Sequence, residues 1–348
     1  MTMIGESTVS SYFEDNLDDD CNSTIKDGGG IADAFSNVGV VDRDIRQDIY
    51  LDFLDVNDQA RRMRDGVYSS TVLGHGSKTV KIIILDTRYS RGDFVIPSVA
   101  SFRFMGGFAV ASRLLSTIMG LVRFQTETIL GDTQWLWLES ELNSTKNISI
   151  TILVSSIQVF TSNPIVESFG HFPLARRKLV NLLMAYKPRG LLVLSGDVHL
   201  AEVLSAGPEL QPIEFTSSGL THDCSDGGIP KFVGEFIWYL FGKHRNGINP
   251  MYSNKNFGGI DIHWKENNDS DCSFERINVT IFDDTGQPVY SVIRSTCSMD
   301  DILPQRISSF SAGPWYFETA WQQCILFGCI FVLLVRILIA RQIKTKVE

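Results

Sequence analysis

The chain has 348 residues, a length that allows one large domain or two small ones. Its 31 Lys and Arg against 40 Asp and Glu give a net charge of −9, which argues against a broad nucleic-acid-binding surface. Hydrophobic residues make up 44% and charged residues 20%, so the chain is not largely disordered. Its six cysteines are too few for a small disulfide scaffold.

Long apolar, β-branched runs predict three buried strands, at 79–85, 148–154 and 191–195. A helix over 132–142, with Asp132 as its N-cap, lies between the first two strands. A second helix, over 174–186, is expected to end before Pro188 and Gly190. This alternation predicts a parallel α/β layer, and the strands that follow without helices predict antiparallel additions.

Two further strands form a predicted hairpin near the C-terminus, at 274–281 and 289–294. A turn centred between Asp284 and Thr285 would place Cys272 opposite Cys297, where a disulfide could clamp the hairpin. Two unrelated thiols fit the sequence equally well, because the register of a hairpin is not determined to one residue by its pattern.

The C-terminal region contains an apolar run over 324–340, interrupted by Arg336 near its end, and counting back to Trp321 gives a segment over 321–340. About 20 apolar residues span a bilayer, and an Arg close to the interface can snorkel. With a basic tail over 341–348, the run predicts a transmembrane helix with a cytosolic C-terminus. The alternative is a buried helix of the core.

Localisation is predicted from this anchor together with the N-x-S/T sequons, which stand at Asn22, Asn143, Asn147, Asn268 and Asn278. Both favour a single-pass membrane protein whose body is luminal or extracellular. The first 20 residues have no basic or apolar region of a signal peptide. Either the anchor inserts as a tail and leaves the body cytosolic, or an upstream signal is absent from this chain.

Two other segments have a distinct character. Residues 1–46 are polar and loop-like, with three consecutive glycines at 28–30. Residues 94–124 are strongly apolar, and within them 108–123 is a candidate basic amphipathic helix at a membrane interface. A core segment or a surface for a partner fits 94–124 as well.

Polar side chains follow all three apolar strands. Asp86 and Arg88 follow the first strand, Ser156 and Gln158 the second, and Asp197 and His199 the third. Ligands of open α/β sheets bind at the carboxyl ends of the strands. A carboxylate and an imidazole can reach one cation, whereas Arg suits a phosphate oxygen. Alternatively, Asp86 and Arg88 form a buried ion pair and His199 is a hydrogen-bonded core residue.

A series of sequence blocks follows along the chain, namely YLDFLDV, RRMRDGVYSS, IIILDTRYSRGD, ILGDTQWLWLESEL, VSSIQVF, HFPLARRKLVNLL, LSGDVHLAEV, EFTSSGLTH and NFGGIDIHW. In this order they resemble the alkaline phosphatase D (PhoD-like) metallophosphatase family. They cover about residues 47–264. The resemblance implies a four-layer α/β/β/α sandwich and a binuclear site with iron and calcium, whose metals activate water against a phosphate ester.

The same resemblance assigns roles to individual residues. Asp197 and His199 match the late metal motif, and Asp86 and Arg88 match the LDTR motif, in which Arg faces phosphate. The catalytic candidates are therefore Arg88, Asp86 and His199. The metal ligands are Asp197, His199 and Asp20, and the substrate contacts are Arg88, Ser156, Gln158 and His222.

The early metal motif of the family has a degraded counterpart over 19–29. Both leading Asp residues and Asp-Gly-Gly are present, but Cys21 replaces a His and Lys26 replaces an Asn. A cation at Lys26 opposes metal binding. The family also begins with an earlier metal-binding segment that this chain does not contain, so the chain is expected to be N-terminally truncated.

The resemblance thus implies a partial four-layer α/β/β/α sandwich over 47–310, to which the apolar run adds the C-terminal transmembrane helix. The first functional hypothesis is a membrane-anchored metal-dependent phosphoesterase that acts on a phosphate ester. The second is a non-catalytic relative, a membrane-anchored module that binds a phosphorylated ligand. The third, which sets the resemblance aside, is a glycosylated adhesion protein.

Overall fold

The computed structural model describes residues 43–96, 106–161, 163–206, 211–221, 251–265 and 274–295. The helices of this part are α1 (Arg43–Phe53), α2 (Gln59–Arg62), α3 (Gly106–Ile118), α4 (Asp132–Asn143) and α5 (Pro173–Tyr186). The strands are β1 (Ser69–His75), β2 (Lys78–Ile84), β3 (Ile150–Ser155), β4 (Leu192–Ser195), β5 (Ala201–Ser205), β6 (Pro212–Ser217), β7 (Asn256–Trp264), β8 (Phe274–Asp283) and β9 (Pro288–Arg294). Short 3-10 helices occur at Leu121–Phe124, Ser144–Asn147 and Phe169–His171.

Six strands form one sheet in the order β1-β2-β3-β4-β6-β5. The strands β2, β3 and β4 are parallel, which confirms the parallel layer predicted from the three apolar runs. The strand β6 is parallel to β4, whereas β5 is antiparallel to β6, so the prediction of antiparallel additions holds for β5 and is wrong for β6. The carboxyl ends of β2, β3 and β4 therefore meet at the same edge of this sheet.

The six-stranded sheet is covered on both faces. Helices α4 and α5 cover one face, where Leu138, Leu179 and Leu183 pack against Leu153 and neighbouring residues of the sheet. The second sheet, β7-β8-β9, covers the other face, where Phe274 and Ile277 pack against side chains of β3 and β4. All six residues of β3 are buried, because this strand lies between the two layers. The described architecture is a mixed α/β fold.

The ends of the two predicted helices are close to their expected positions, but the capping differs. Gly131, with extended backbone and no side-chain hydrogen bond, is the N-cap of α4, and Asp132 is the first helical residue. The predicted N-cap role of Asp132 is therefore wrong. Helix α5 ends at Lys187, which adopts a left-handed conformation (φ 44°), and the following Pro188 cannot continue the helix.

The predicted hairpin is present as β8 and β9, with a shifted register. A turn centred between Asp284 and Thr285 would pair Ile277 with Val292, whereas the structure pairs Ile277 with Arg294. The register changes between Ile281 and Phe282, because the ladder there contains an irregularity that a sequence pattern does not show. The proposed disulfide between residues 272 and 297 lies outside the described residues.

The described residues contain no helix that is both long enough and apolar enough to cross a membrane. This finding contradicts the predicted single-pass membrane protein and the localisation inferred from it. The segment 321–340, on which that prediction rested, and the tail that follows it lie outside the described residues.

The apolar segment 94–124 is described from residue 106 onward and in its first three residues. Its helix α3 ends at Ile118, and Gly120 with φ 68° separates it from the 3-10 helix Leu121–Phe124. The expected continuous helix over 108–123 is therefore wrong. A left-handed residue cannot lie inside a right-handed helix, and glycine adopts that conformation most easily.

Candidate functional site

Side chains from two separate strand ends meet at the edge where β2, β3 and β4 terminate. Arg88 follows β2, and its Nη2 atom donates to Oδ1 of Asp197, which follows β4, at 2.8 Å. The two residues are 109 positions apart in the chain. The structure therefore brings together the residue predicted to face phosphate and a residue predicted to bind metal.

Arg88 also binds a second carboxylate, one that the sequence did not single out. Its Nη1 atom donates to Oε1 of Glu167 at 2.9 Å. Glu167 is the one charged residue among Asp, Glu, Lys and Arg between Lys146 and Arg176. A single carboxylate within a long stretch without other Asp, Glu, Lys or Arg needs a cationic partner if it is buried; this isolation could have singled out Glu167, but not its partner Arg88.

Glu167 lies in a cluster of arginines. Besides Arg88, Nη1 of the buried Arg91 lies 3.2 Å from Oε1 of Glu167. Burial by itself would raise the pKa of Glu167, but the guanidinium groups of Arg88, Arg91 and Arg113 together lower this pKa to about 2. Glu167 is thus a permanent anion at neutral pH and holds one side of Arg88.

Phe94 and His171 line the same cluster. The guanidinium of Arg91 lies 4.9 Å from the ring centroid of Phe94, and His171 packs edge-on against that ring at 5.6 Å. Burial and then the charge of Arg113 lower the pKa of His171 to about 3, so its ring is neutral at pH 7. Its Nε2 atom lies 3.0 Å from the carbonyl oxygen of Val166.

Asp86 is held by the backbone around it. Its Oδ1 atom accepts hydrogen bonds from the N–H groups of Arg88 and Tyr89, at 2.9 and 2.8 Å. Its Oδ2 atom accepts from the N–H group of Val67 at 2.9 Å. These contacts fix the turn after β2 and thereby the direction in which Arg88 leaves the strand; a catalytic role of Asp86 stays a prediction.

Ser156 and Gln158 occupy the loop after β3, and both are buried. The hydroxyl of Ser156 contacts that of Thr87, next to Arg88. Nε2 of Gln158 donates to Oε1 of Glu202 at 2.8 Å and to Oγ1 of Thr216 at 3.0 Å. Its Oε1 atom has no hydrogen-bond partner among the described residues. Substrate contacts by Ser156 and Gln158 stay predictions.

The loop after β3 is attached to β6 by Glu214. The two carboxylate oxygens of this buried residue accept hydrogen bonds from the N–H groups of Val159 and Phe160, at 2.8 and 2.7 Å. Burial raises the pKa of Glu214 to about 7, and the nearby charge of Glu202 acts in the same direction. Sequence reasoning missed this residue, because a glutamate inside a strand usually points to solvent.

The loop after β4 has an unusual backbone. Asp197 and His199 both have positive φ angles, 74° and 53°, which residues other than glycine adopt rarely. The N–H group of His199 donates to Oγ of Ser218 at 2.7 Å, and this bond holds the loop against the segment after β6. Backbone in this region costs free energy, and such residues concentrate at functional sites.

Asp197 and His199 supply a carboxylate and an imidazole, which are both metal-ligand types, and they fit two positions of a metal site. The described residues contain no group of three or more His, Cys, Asp or Glu side chains that could hold a metal ion. The remaining predicted positions, namely Asp20, Cys21, Lys26 and His222, lie outside the described residues.

Comparisons with known proteins find similarity to solved structures but not to known sequences or family models. No family model matches the chain, and no curated protein sequence matches it. The solved structure of PhoD is similar to 65% of this chain, with a TM-score of 0.38 and 18% sequence identity. The chain spans 44% of the length of that structure.

Proposed function

We propose that this chain binds a phosphate ester at the edge formed by the ends of β2, β3 and β4, and hydrolyses it as a PhoD-like phosphoesterase. The observation that supports this proposal best is the contact of Arg88 with Asp197, at 2.8 Å. It joins two of the sequence motifs, LDTR and GDVH, that carry the resemblance to that family.

In this proposal Arg88 binds the ester phosphate, because a planar guanidinium can donate two parallel hydrogen bonds to it. Glu167 and the turn held by Asp86 keep the guanidinium directed toward the edge. Asp197 and His199 would hold metal together with Asp20, and iron and calcium are the expected ions. A bound metal would supply the acidity that turns water into a nucleophile at neutral pH.

A second function, phosphate-ester binding without hydrolysis, is favoured by two observations. The guanidinium of Arg88 already binds two carboxylates, of which Asp197 is one of the expected metal ligands. Within the described part of the chain, Asp197 and His199 of one loop are not joined by a third His, Cys, Asp or Glu side chain that could complete a metal site. Binding of an anion by Arg88 needs no metal.

The deciding experiment measures metal content and turnover on the full chain purified with iron and calcium. The substrates are p-nitrophenyl phosphate, a monoester, and bis(p-nitrophenyl) phosphate, a diester. His199→Ala is compared with His263→Ala, because His263 is an exposed histidine on β7.

For the hydrolase, we expect bound metal and turnover in the parent chain and in His263→Ala, and a loss of both in His199→Ala. Folded protein without turnover, in which phosphate still binds and Arg88→Ala abolishes that binding, would support the second function. Folded protein that neither turns over nor binds phosphate contradicts both.

A further inference from the structure

The strand β1 forms one edge of the six-stranded sheet, and its side chains are open to solvent on both faces. Among the residues that the structure describes, it pairs with β2 alone, in a regular antiparallel register from Ser69↔Ile84 to His75↔Lys78. Six of its seven residues are exposed. Val72 on the helix side and Leu73 on the other side are 51% and 39% exposed. This edge therefore presents apolar side chains beside a row of backbone donors and acceptors.

Edge strands normally carry features that prevent pairing with another chain, such as charges, prolines and bulges. The strand β5, at the other edge of this sheet, has Glu202 and a register shift and also contacts Tyr252. The two edge strands of the second sheet each border a register shift, and they contain Asp261 in β7 and Pro288 in β9.

By contrast, β1 reads Ser-Ser-Thr-Val-Leu-Gly-His and contains neither an acidic residue, nor a Lys or Arg, nor a proline. Its ladder with β2 has no register shift. Of the four edge strands in the described residues, it is the one that lacks every one of these protective features.

We propose that β1 is a self-association surface, through which two copies of this chain pair antiparallel about a two-fold axis at Val72. In this register Val72 lies opposite Val72 of the second copy, Thr71 lies opposite Leu73, and Ser70 lies opposite Gly74. The central pairs, Val72 with Val72 and Thr71 with Leu73, match β-branched and apolar side chains, and no like charges meet. The result is a continuous twelve-stranded sheet made of two six-stranded halves.

The second copy is favoured over an unrelated peptide because the strand is self-complementary. A peptide partner chosen by charge would need a charged residue on β1, and the strand has none except the titratable His75 at its end. An isologous pair also uses the same exposed surface twice, as two-fold interfaces do. Since seven residues form a small interface, we expect a dimer that dissociates in the micromolar range.

The experiment measures the association of the full chain by sedimentation velocity, at concentrations from about 1 to 200 μM, which bracket a micromolar constant. Val72→Lys places two ammonium groups opposite each other, and we expect the dissociation constant to rise by about tenfold or more. Val72→Thr keeps a β-branched side chain and should leave the association unchanged. Ile293→Lys is the control for an added charge, because Ile293 is an exposed residue (61%) on β9.

A mixture of two variants tests the register itself. Val72→Glu alone should also dissociate, whereas an equimolar mixture of Val72→Lys and Val72→Glu should associate again, because opposite charges then face each other at the two-fold axis. Leu73→Lys, which should weaken the dimer, replaces Val72→Lys if circular dichroism shows that the latter is not folded. A parent chain that is monomeric at 200 μM overturns the proposal. A dimer that Ile293→Lys disrupts, or variants whose mixture stays monomeric, overturn it as well.

Discussion

The guanidinium of Arg88 reaches across the end of β3 to Asp197, with 2.8 Å between Nη2 and Oδ1. Arg88 follows β2 and Asp197 follows β4, and β3 lies between these two strands in the sheet. The ion pair thus connects the outer two of three parallel strands at their carboxyl ends. Any anion that binds Arg88 at this edge must compete with Asp197 and Glu167 for the same donors.

The contribution of this pair to stability can be measured with a double-mutant cycle of Arg88→Met and Asp197→Asn. Because both side chains are largely buried, each single variant should lower the free energy of unfolding by about 3 kcal/mol. The coupling energy should lie at about 1–3 kcal/mol. Urea unfolding at pH 7 gives all four values.

The pair Arg62–Asp52 is the matched control, since its 2.6 Å separation is similar but Asp52 is mostly exposed. A coupling below about 1 kcal/mol is expected there. Equal coupling in the two cycles would contradict the structural role assigned to Arg88 and Asp197.

The stability of the chain should depend on pH through Glu214. Its pKa in the folded chain is about 7 and its ordinary value is 4.5, so the folded chain binds more protons between these values. The contribution of Glu214 is fully present below pH 4.5 and is lost as pH rises through 7. The free energy of unfolding of the parent chain should therefore fall by about 3 kcal/mol over this interval, and Glu214→Gln should abolish this fall.

Unfolding free energies at pH 5 and pH 7.5 test this expectation, with Glu275→Gln on the exposed face of β8 as the control. Glu214→Gln should also lose some stability at every pH, since an amide offers one acceptor where two backbone N–H groups need one each. A pH profile parallel to that of the parent chain would show that the carboxylate keeps its charge in the fold.

His171 should make the fold sensitive to acid, in the opposite direction to Glu214. Its pKa falls from 6.5 to about 3 on folding, mainly because of burial. Between these values the unfolded chain binds the extra proton, so stability is lost as pH falls below 6.5, by about 1.4 kcal/mol per pH unit. His171→Phe should be less stable than the parent chain at pH 7, and this difference in stability should be smaller at pH 4.

Thermal unfolding at pH 4, 5.5 and 7 measures this difference, and His263→Phe on the exposed side of β7 is the control. Phe is chosen because the ring of His171 packs against the aromatic ring of Phe94. If both histidine variants shift the profile equally, the acid sensitivity arises elsewhere in the chain.

The ammonium of Lys81 is buried below helix α4 and binds the side chain of Glu141 at 2.6 Å. It also donates to the carbonyl oxygen of Glu141 at 2.9 Å and to Oγ of Ser144. Glu141→Ala should cost about 3 kcal/mol or more, because it leaves a buried cation without its anion. Lys81→Met should cost less, since it removes the charge and keeps most of the apolar volume. Urea unfolding of both variants should show this order, and the reverse order would rule out the explanation.

The parallel layer was predictable because strands that are buried on both faces read as continuous apolar runs. All six residues of β3 are buried and four of them are apolar, and α4 and α5 follow from their helical periodicity. The shifted pairing of Ile277 was not predictable, since a sequence pattern does not determine the register of a hairpin to one residue, and the ladder is irregular between Ile281 and Phe282. The predicted membrane span is contradicted by the finding that the described residues contain no helix able to cross a membrane, although its apolar run satisfied a length criterion.

In the candidate site, the residues at the strand ends were predictable from the sequence, but the residues that bind them were not. The positions of Arg88 and Asp197 follow from the rule that parallel strands end at one edge. Glu167 comes from a loop after β3, and its contact with Arg88 depends on how that loop folds back. No local sequence pattern predicts that a loop folds back in this way. The contacts of Glu214 with the same loop were not predictable for the same reason.

The contacts of Glu214 have a consequence for the motion of the site. The N–H groups of Val159 and Phe160 donate hydrogen bonds to the carboxylate of Glu214, which belongs to β6. They can exchange with solvent deuterium only when these two hydrogen bonds open. We therefore expect the loop that carries Ser156 and Gln158 to be protected from exchange together with β6, as a wall of the site and not as a lid that moves independently.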